Sequence, residues 1–291
     1  MQKLTYVNVL GEKAELYMPP YLLHSVRGTG TTDATVASVQ GVYQSGETVR
    51  GILRGVRHVD ATVTIRGATR AEMYQNRQTL AAVMAAGKGY SEDGAIGALW
   101  YQNDAGTWWT EAIPESGVGD MASRMHNNQI DVPVSFRCPS AWWHSVEEYS
   151  AVYDFSKGGL TLPFDLPFTL GNVDYMRELR NRGQVPAPVI IEIVGNGETP
   201  KLLNEDTGAA VALTSQLPYG STLAISTDPA ELYARITNSS GVSNAFGLLD
   251  PELPVTSFVL RPGLNRVRYV PTGDASGSKI TIRWRAHFEG V

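Results

Sequence analysis

The sequence predicts a mainly β protein with one principal α-helix. Apolar and polar residues alternate in many short segments bounded by glycine, proline and asparagine, and only one segment has a convincing helical period. The chain has 291 residues, more than one domain usually contains, so two β domains are expected. We predict an N-terminal antiparallel β domain with a packed helix and a hairpin over 1–140, a linker over 141–170 and a C-terminal β-sandwich of jelly-roll type over 171–291.

Short strands are expected throughout residues 4–67. The clearest is 59–65, where Val59, Ala61, Val63 and Ile65 alternate with polar residues, so one face of the strand is buried and the other is wet. Earlier strand-like segments, separated by glycines, lie at 7–10, 21–23, 34–42 and 48–53. The pattern is typical of antiparallel strands.

One helix follows, predicted over residues 70–86. Thr69 and Glu72 have the spacing of a capping box, in which the Thr69 hydroxyl accepts the N–H of Glu72 and the Glu72 carboxylate accepts the N–H of Thr69. Gly87 is placed to end the helix. One stripe at helical spacing contains Met73, Arg77, Leu80, Ala81 and Met84. The helix is therefore expected to lie on a sheet.

A β-hairpin over 96–112 is predicted after the helix, because turn-forming residues at 103–106 separate two strand-like runs. A loop is expected over 115–128, and 130–138 alternates again. Pro133 lacks an N–H and favours an edge or bulged position in that strand. The strands predicted for the second half are 189–193, 222–226, 232–237, 257–260, 266–270 and 280–288.

Composition excludes several classes of function. The net charge of −5 and thinly spread basic residues give no attraction to nucleic acid. The single cysteine, Cys138, allows no internal disulfide. No signal peptide is expected at the start, and the longest apolar run, 80–86, is far shorter than the ~20 residues that cross a bilayer. We expect neither a nucleic-acid nor a membrane partner.

Known catalytic and metal-binding patterns are not found. The five histidines, His24, His58, His126, His144 and His287, lack metal-ligand spacing. Cys138 falls on the apolar side of its strand, which favours an inert thiol. Ser276 and Lys279 have the letters of a hydrolase motif but lie in a predicted turn, and the glycine pairs at 28–30 and 195–197 lack the rest of a phosphate loop.

Carboxylates leave one catalytic alternative open, since no pair among them is favoured as an acid/base pair. They are Glu147, Glu148, Asp165, Glu205 and Asp206. The prediction is a protein that is not an enzyme and needs no cofactor or metal.

Two pairs of adjacent tryptophans are the candidate contact residues. Trp108 and Trp109 lie on a hairpin strand, and Trp142 and Trp143 lie at the predicted domain junction. Adjacent strand residues point to opposite faces, so one ring of each pair can be core while the other meets a partner subunit. The alternative is that both rings of each pair are buried.

The order of the motifs resembles the distal tail protein family of long-tailed, siphovirus-type bacteriophages. In the first half these are Pro-Tyr-Leu-Leu at 20–23, Gly-Ile-Leu at 51–53, the helix, the hairpin and Cys-Pro at 138–139 before the second Trp pair. In the second half they include Leu-Pro-Phe at 162–164, Pro-Val-Ile-Ile at 188–191, Gly220 to Thr227 and Leu-Arg-Pro-Gly-Leu-Asn at 260–265. The resemblance spans nearly the whole chain.

This resemblance implies a structural role in the virion. The N-terminal domains would form a homohexameric ring that connects the tail tube protein to the tail-tip hub or baseplate. The C-terminal domain would be a galectin-like sandwich that offers a docking platform for a receptor-binding protein. The family supplies no catalytic residues. The protein would be made in the host bacterial cytoplasm and would end at the tail tip.

Two other functions stay open. A carbohydrate-binding module or host-surface adhesin would use the sandwich together with aromatic residues, the candidates being Trp142, Trp143, Tyr219 and Trp284. A cell-wall hydrolase would need a carboxylate pair of the kind considered above. A six-fold ring of purified protein would separate the structural role from both.

Overall fold

A computed structural model describes residues 1–116, 118, 125–155, 175–195, 199–270 and 277–291. Within these residues the chain is mainly β with one α-helix, which confirms the predicted fold class. The chain divides into two compact units. The first contains Met1–Val146 and Phe288–Val291, and the second contains Glu147–His287.

Twelve strands among the described residues begin in the first unit. They are β1 Lys3–Val7, β2 Lys13–Glu15, β3 Tyr21–Arg27, β4 Ala34–Val39, β5 Thr48–Arg54, β6 Arg57–Arg66, β7 Ala98–Asn103, β8 Gly106–Glu111, β9 Ile113–Ser116, β10 Met125–His126, β11 Gln129–Cys138 and β12 Trp143–Asp154. The helix α1 spans Arg70–Val83, and a short 3-10 helix spans Ala86–Lys88.

These strands form two sheets around one core. One sheet has the order β2-β1-β7-β8-β12, and the other has the order β10-β11-β6-β3, with β9 also pairing with β11. Alternate residues of both sheets are buried, as in β6, where Val59, Ala61, Val63 and Ile65 point inward. The strands β4 and β5 pair with each other in a separate two-stranded ribbon.

The helix begins at its predicted residue. The Thr69 hydroxyl accepts a hydrogen bond from the N–H of Glu72 at 3.1 Å, but the Glu72 carboxylate accepts the N–H of Ala68, not that of Thr69. Met73 and Leu80 are buried against the sheets. The helix ends at Val83, three residues before the predicted end, because Ala85 is extended (φ −62, ψ 125), and a separate 3-10 helix follows at Ala86–Lys88.

The predicted hairpin forms, but both of its strands are paired on their outer sides. Strand β7 pairs with β1 and strand β8 pairs with β12, so neither offers a free edge. Pro133 lies opposite Thr62 of β6. Among the described residues, the short strands β10 and β9 pair with the other edge of β11 on either side of Pro133 and leave it unpaired there. Proline is tolerated there because the ladder on that edge is interrupted.

The second unit is a β-sandwich. Its own strands are β13 Met176–Asn181, β14 Ala187–Val194, β15 Lys201–Asn204, β16 Ala210–Ala212, β17 Thr222–Ser226, β18 Tyr233–Asn238, β19 Gly241–Asn244, β20 Val259–Leu260, β21 Gly263–Val270 and β22 Lys279–Phe288. One sheet has the order β19-β18-β17-β14-β22-β12, and the other has the order β13-β21-β15-β16. A single apolar cluster, which includes Ile191, Ile225 and Ile282, fills the space between them.

Candidate subunit interface

The two tryptophans of the hairpin lie on opposite faces of the first sheet. Trp108 faces the core side, where its ring meets Phe288 edge-on at 6.1 Å. Trp109 lies on the outer side, stacked on Trp100 at 6.1 Å and beside the His144 ring at 5.1 Å. Its indole N–H donates to the carbonyl of Ser145. The outer face of this sheet therefore carries a row of partly exposed rings.

The second tryptophan pair is divided in the same way. Trp143 is the first residue of β12 and is 0% exposed, with its indole N–H donating to the Thr29 carbonyl at 3.2 Å. Trp142 is half-buried and lies in a turn, where its backbone N–H donates to the Ser140 hydroxyl. Burial of Trp143 fixes β12 against the first unit and leaves only Trp142 of this pair near the surface.

The ribbon of β4 and β5 is the most exposed regular structure in the first unit; we call residues 34–54 the arm. Val36 pairs with Ile52 across the ribbon, and the next pair on that face contains Val49. These three side chains are 48%, 63% and 54% exposed, respectively. Apolar side chains on a strand normally face a core. A contiguous exposed apolar set of this kind makes the arm the candidate contact surface of the first unit.

The base of the arm is held by backbone and guanidinium contacts. The N–H of Gly55 donates to the Asp33 carbonyl at 3.0 Å, and the Arg54 guanidinium donates to the Thr32 carbonyl at 3.2 Å. These bonds join the segment that leads into the arm to the segment that leaves it. Gly28, at the start of the leading segment, has φ +86, and a Cβ there would lie 1.9 Å from the His58 carbonyl oxygen, so glycine is required.

Arg57 is a buried cation just beyond the arm. Its side chain is 1% exposed and its guanidinium lies 5.3 Å from the ring centroid of Trp143. It donates to four carbonyl oxygens at 2.5–2.8 Å, those of Gly28, Gly30, Ala141 and Glu289. Burial lowers the pKa of Arg57 to about 10, so it remains charged near neutral pH. The carbonyl dipoles compensate the charge.

The candidate chemical groups are held in inert surroundings. Cys138 is fully buried, and burial raises the pKa of its thiol to about 12, so the reactive thiolate is suppressed. His287 is 7% exposed, and burial lowers its pKa to about 4. Among the described residues, no three His, Cys, Asp or Glu side chains are arranged to hold a metal ion.

The carboxylates considered as a catalytic pair are held by arginines instead. Asp206 bonds Arg266 and Glu205 bonds Arg268, at 2.7 and 2.5 Å. The hydrogen bond from Arg266 lowers the pKa of Asp206, which is the opposite of what a general acid needs. Glu148 lies 3.7 Å from Arg285. Asp165 and Ser276 lie outside the described residues, as do 196–198 of the second glycine turn and 156–170 of the predicted linker.

The sequence predicted the strands of the arm but not its exposure. Its apolar residues alternate with Thr, Ser and Arg as in any half-buried strand, and alternation alone does not reveal whether a face has a partner within the chain. Residues 34–54 therefore carried no local signal of their exposure. Arg57 carried no sequence signal, because its acceptors are backbone carbonyls far apart in the chain.

In the described part of the chain, no helix combines the length and the apolar character that crossing a membrane requires. No family model and no curated protein matches this sequence.

Solved structures do match, over the whole chain. The chain is similar to the Dit protein (gp 19.1) of phage SPP1, described as a paradigm of the hub adsorption apparatus in phages that infect Gram-positive bacteria. The identity is 13%, 99% of each chain is covered and the TM-score is 0.65. It is also similar to a chain of the phage P2 baseplate in its activated conformation, with 12% identity, full coverage of both chains and a TM-score of 0.54 in the calcium structure. The strontium structure gives 13% identity, full coverage and a TM-score of 0.53.

Identities this low show a shared fold. The fold expected from the resemblance to distal tail proteins is thus confirmed.

Proposed function

We propose that this chain is a structural subunit of a bacteriophage tail tip, a distal tail protein that connects the tail tube to the tip hub or baseplate. The observation that carries the proposal is the fold shared with SPP1 Dit over 99% of both chains, at a TM-score of 0.65. The buried thiol and the arginine-paired carboxylates favour a role without catalysis. The tail tube protein, the tail-tip hub protein and a receptor-binding protein are the proposed partners.

The subunits are proposed to form a homohexameric ring through the arm. A closed ring needs a head-to-tail contact, in which a projecting element of one subunit meets a different surface of the next. The arm projects the apolar face of Val36, Val49 and Ile52, and its strands pair only with each other among the described residues. A neighbouring subunit that covers these side chains would bury their apolar surface, and burial of apolar surface is the main favourable contribution to the free energy of association.

The four tryptophans are proposed to contribute to this contact in two ways, according to whether the ring is partly exposed or packed on the core. Trp109 and Trp142, which are partly exposed, are proposed to touch the neighbouring subunit. Trp108 and Trp143 contact the core, so they serve the interface by holding the strands beneath it. The second unit is proposed to carry the docking platform for receptor-binding components.

Mass photometry and negative-stain imaging of the purified protein test the ring. The wild type should form six-membered rings, and the double variant Val36→Lys and Ile52→Glu should be monomeric with an unchanged melting temperature, because both positions are exposed within one chain and the opposite charges face each other across the ribbon. Val242→Lys is the matched control, since Val242 is 66% exposed on the edge strand β19 of the second unit. A double variant that assembles like the wild type would remove the arm from the proposal. A chain that is monomeric alone and also with its tail partners would refute the ring.

A further inference from the structure

The chain returns to the first unit after completing the second. Residues Phe288–Val291 belong to the first unit, whereas the preceding residues, back to Glu147, belong to the second. The returning segment lies against the residues that lead into the arm. The N–H of Val291 donates to the Thr29 carbonyl at 3.0 Å. A Cβ on Gly290 would lie 3.1 Å from the Cα of Gly30, so the two backbones are in close contact.

Glu289 contacts two arginines on the side of the base where the chain leaves the arm. Its carboxylate forms an ion pair with Arg54, the last residue of β5, at 2.8 Å. Its backbone carbonyl accepts a hydrogen bond from Arg57 at 2.7 Å. Both side chains of the ion pair are about two-thirds shielded from solvent, so the pair is screened less than one at the surface.

The Arg57 guanidinium joins three parts of the chain at this point. Its acceptors are Gly28 and Gly30 of the leading segment, Ala141 before β12, and Glu289 of the returning segment. An arginine fork makes several directed bonds at once, which fixes the relative position of the backbones that accept them. Removing the returning segment would take away one acceptor of Arg57 and the ionic partner of Arg54.

We propose that Phe288–Val291 is the foundation of the arm and fixes the direction in which it projects. An isolated two-stranded ribbon is marginally stable in water, and the described strands of the arm pair with no third strand. Its orientation is therefore set at its base, where the returning segment supplies an ion pair, a guanidinium acceptor and a backbone hydrogen bond. The effect on ring assembly rests on the proposed function, but the effect on the arm does not.

Hydrogen exchange measured by mass spectrometry tests the foundation directly. The reference is a chain of wild-type sequence apart from Val36→Lys and Ile52→Glu, and three further changes are made in it: deletion of residues 288–291, Glu289→Gln, and Gly290→Val, whose added side chain would press on Gly30. All four chains are measured at a concentration where mass photometry shows monomers, so that protection by a neighbouring subunit cannot contribute. Glu252→Gln, at an exposed position of the second unit, is the control.

The expected result is exchange at least about threefold faster in peptides covering residues 29–54, with β6 and β11 as protected as in the reference chain. The deletion should have the largest effect, Glu289→Gln a smaller one in the same peptides, and the control none. Unchanged exchange in the arm of the deleted chain would overturn the proposal. If the deletion also speeds exchange in β6, the deleted chain is destabilised as a whole and the two point variants become the test. Unchanged exchange in the arm of both point variants would then overturn the proposal. A wild type that forms no rings, alone or with its tail partners, would refute the proposed ring and leave this measurement intact.

Discussion

Single residues in this chain show how burial, more than residue type, decides chemical behaviour. Arg57 keeps its charge inside the first unit because four carbonyl oxygens surround it, and Cys138, its pairing partner in the ladder of β6 and β11, is kept neutral by the same burial. The sequence predicted the inert thiol from strand alternation. The sequence did not indicate that Arg57 is buried, because every residue type has a backbone carbonyl and these acceptors therefore leave no pattern in the sequence.

Replacing Arg57 should destabilise the first unit strongly. Arg57→Met leaves four buried carbonyls without their donor and is expected to lower the free energy of unfolding by about 2–4 kcal/mol. Arg57→Lys should recover part of the loss, because a lysine ammonium keeps the charge but cannot span all four acceptors. Urea denaturation followed by tryptophan fluorescence measures both.

Arg137→Met is the control for Arg57. Arg137 lies on the neighbouring strand β11 and is exposed, with a long 3.6 Å contact to Glu115, so its loss should change the unfolding free energy by no more than about 0.5 kcal/mol. Equal effects at positions 57 and 137 would contradict the structural role of the buried guanidinium.

His287 should make the second unit sensitive to acid. The folded chain protonates His287 only near pH 4, whereas an unfolded chain does so near its ordinary pKa of 6.5. The unfolded state therefore takes up a proton first, and stability that is complete above pH 6.5 is lost as the pH falls toward 4. The loss is about 3 kcal/mol. Urea denaturation across this pH range should show it, and His287→Gln should flatten this part of the profile.

The comparison for His287 is His24→Gln, at an exposed position of β3. This substitution should leave the pH profile as steep as in the wild type. If His24→Gln and His287→Gln flattened the profile equally, burial of His287 would not be the cause of the acid sensitivity.

At the scale of elements, the sequence predicted those whose pattern is local. The capping residues placed the start of α1 correctly, and strand alternation found β6, β11 and β22. Strand β1 begins at Lys3, before the predicted segment 7–10, so its residues Leu4 and Tyr6 lie outside that segment. The short strands β2, β15, β16 and β19 have too few residues to show a period. The hairpin also pairs with β1 on one side and with β12 on the other, and its turn residues cannot indicate pairing with strands so far away in the sequence.

The helix α1 allows its cap and its core contact to be compared. Leu80→Ala should cost about 2–5 kcal/mol, because Leu80 is fully buried, and Thr69→Ala should cost about 1 kcal/mol through loss of the hydrogen bond to Glu72. Gln75→Ala, on the exposed side, should stay within about 0.5 kcal/mol of the wild type. Denaturant unfolding gives all three values. A Leu80 variant as stable as the Gln75 variant would mean that the helix does not pack on the core.

At the scale of the whole molecule, the sequence suggested two β regions in succession along the chain. The first unit instead takes its final residues from beyond the second, and Trp143, which lies in the predicted linker, is part of its core. Neither fact has a local signal, since each depends on contacts between residues more than a hundred positions apart. A cut at 140 would therefore remove buried structure from the first unit.

Two shortened chains should differ in stability for this reason. A fragment of residues 1–146 lacks the contacts of Phe288–Val291 with Trp108, Thr29 and Arg57, whereas a chain in which a flexible Gly/Ser linker replaces residues 147–287 retains them. The linked chain should have the higher melting temperature by circular dichroism. Equal melting temperatures would show that the returning segment adds nothing to the first unit.

The route of the chain also sets an order of events in time. Ribosomes add about 5–20 residues per second, so the roughly 140 residues of the second unit delay Phe288–Val291 by roughly 7–28 s after Val146 is made. During that interval Arg57 and Arg54 lack Glu289, and the base of the arm is incomplete. A nascent chain therefore completes the contacts at the base of its arm only after its second unit has been synthesised.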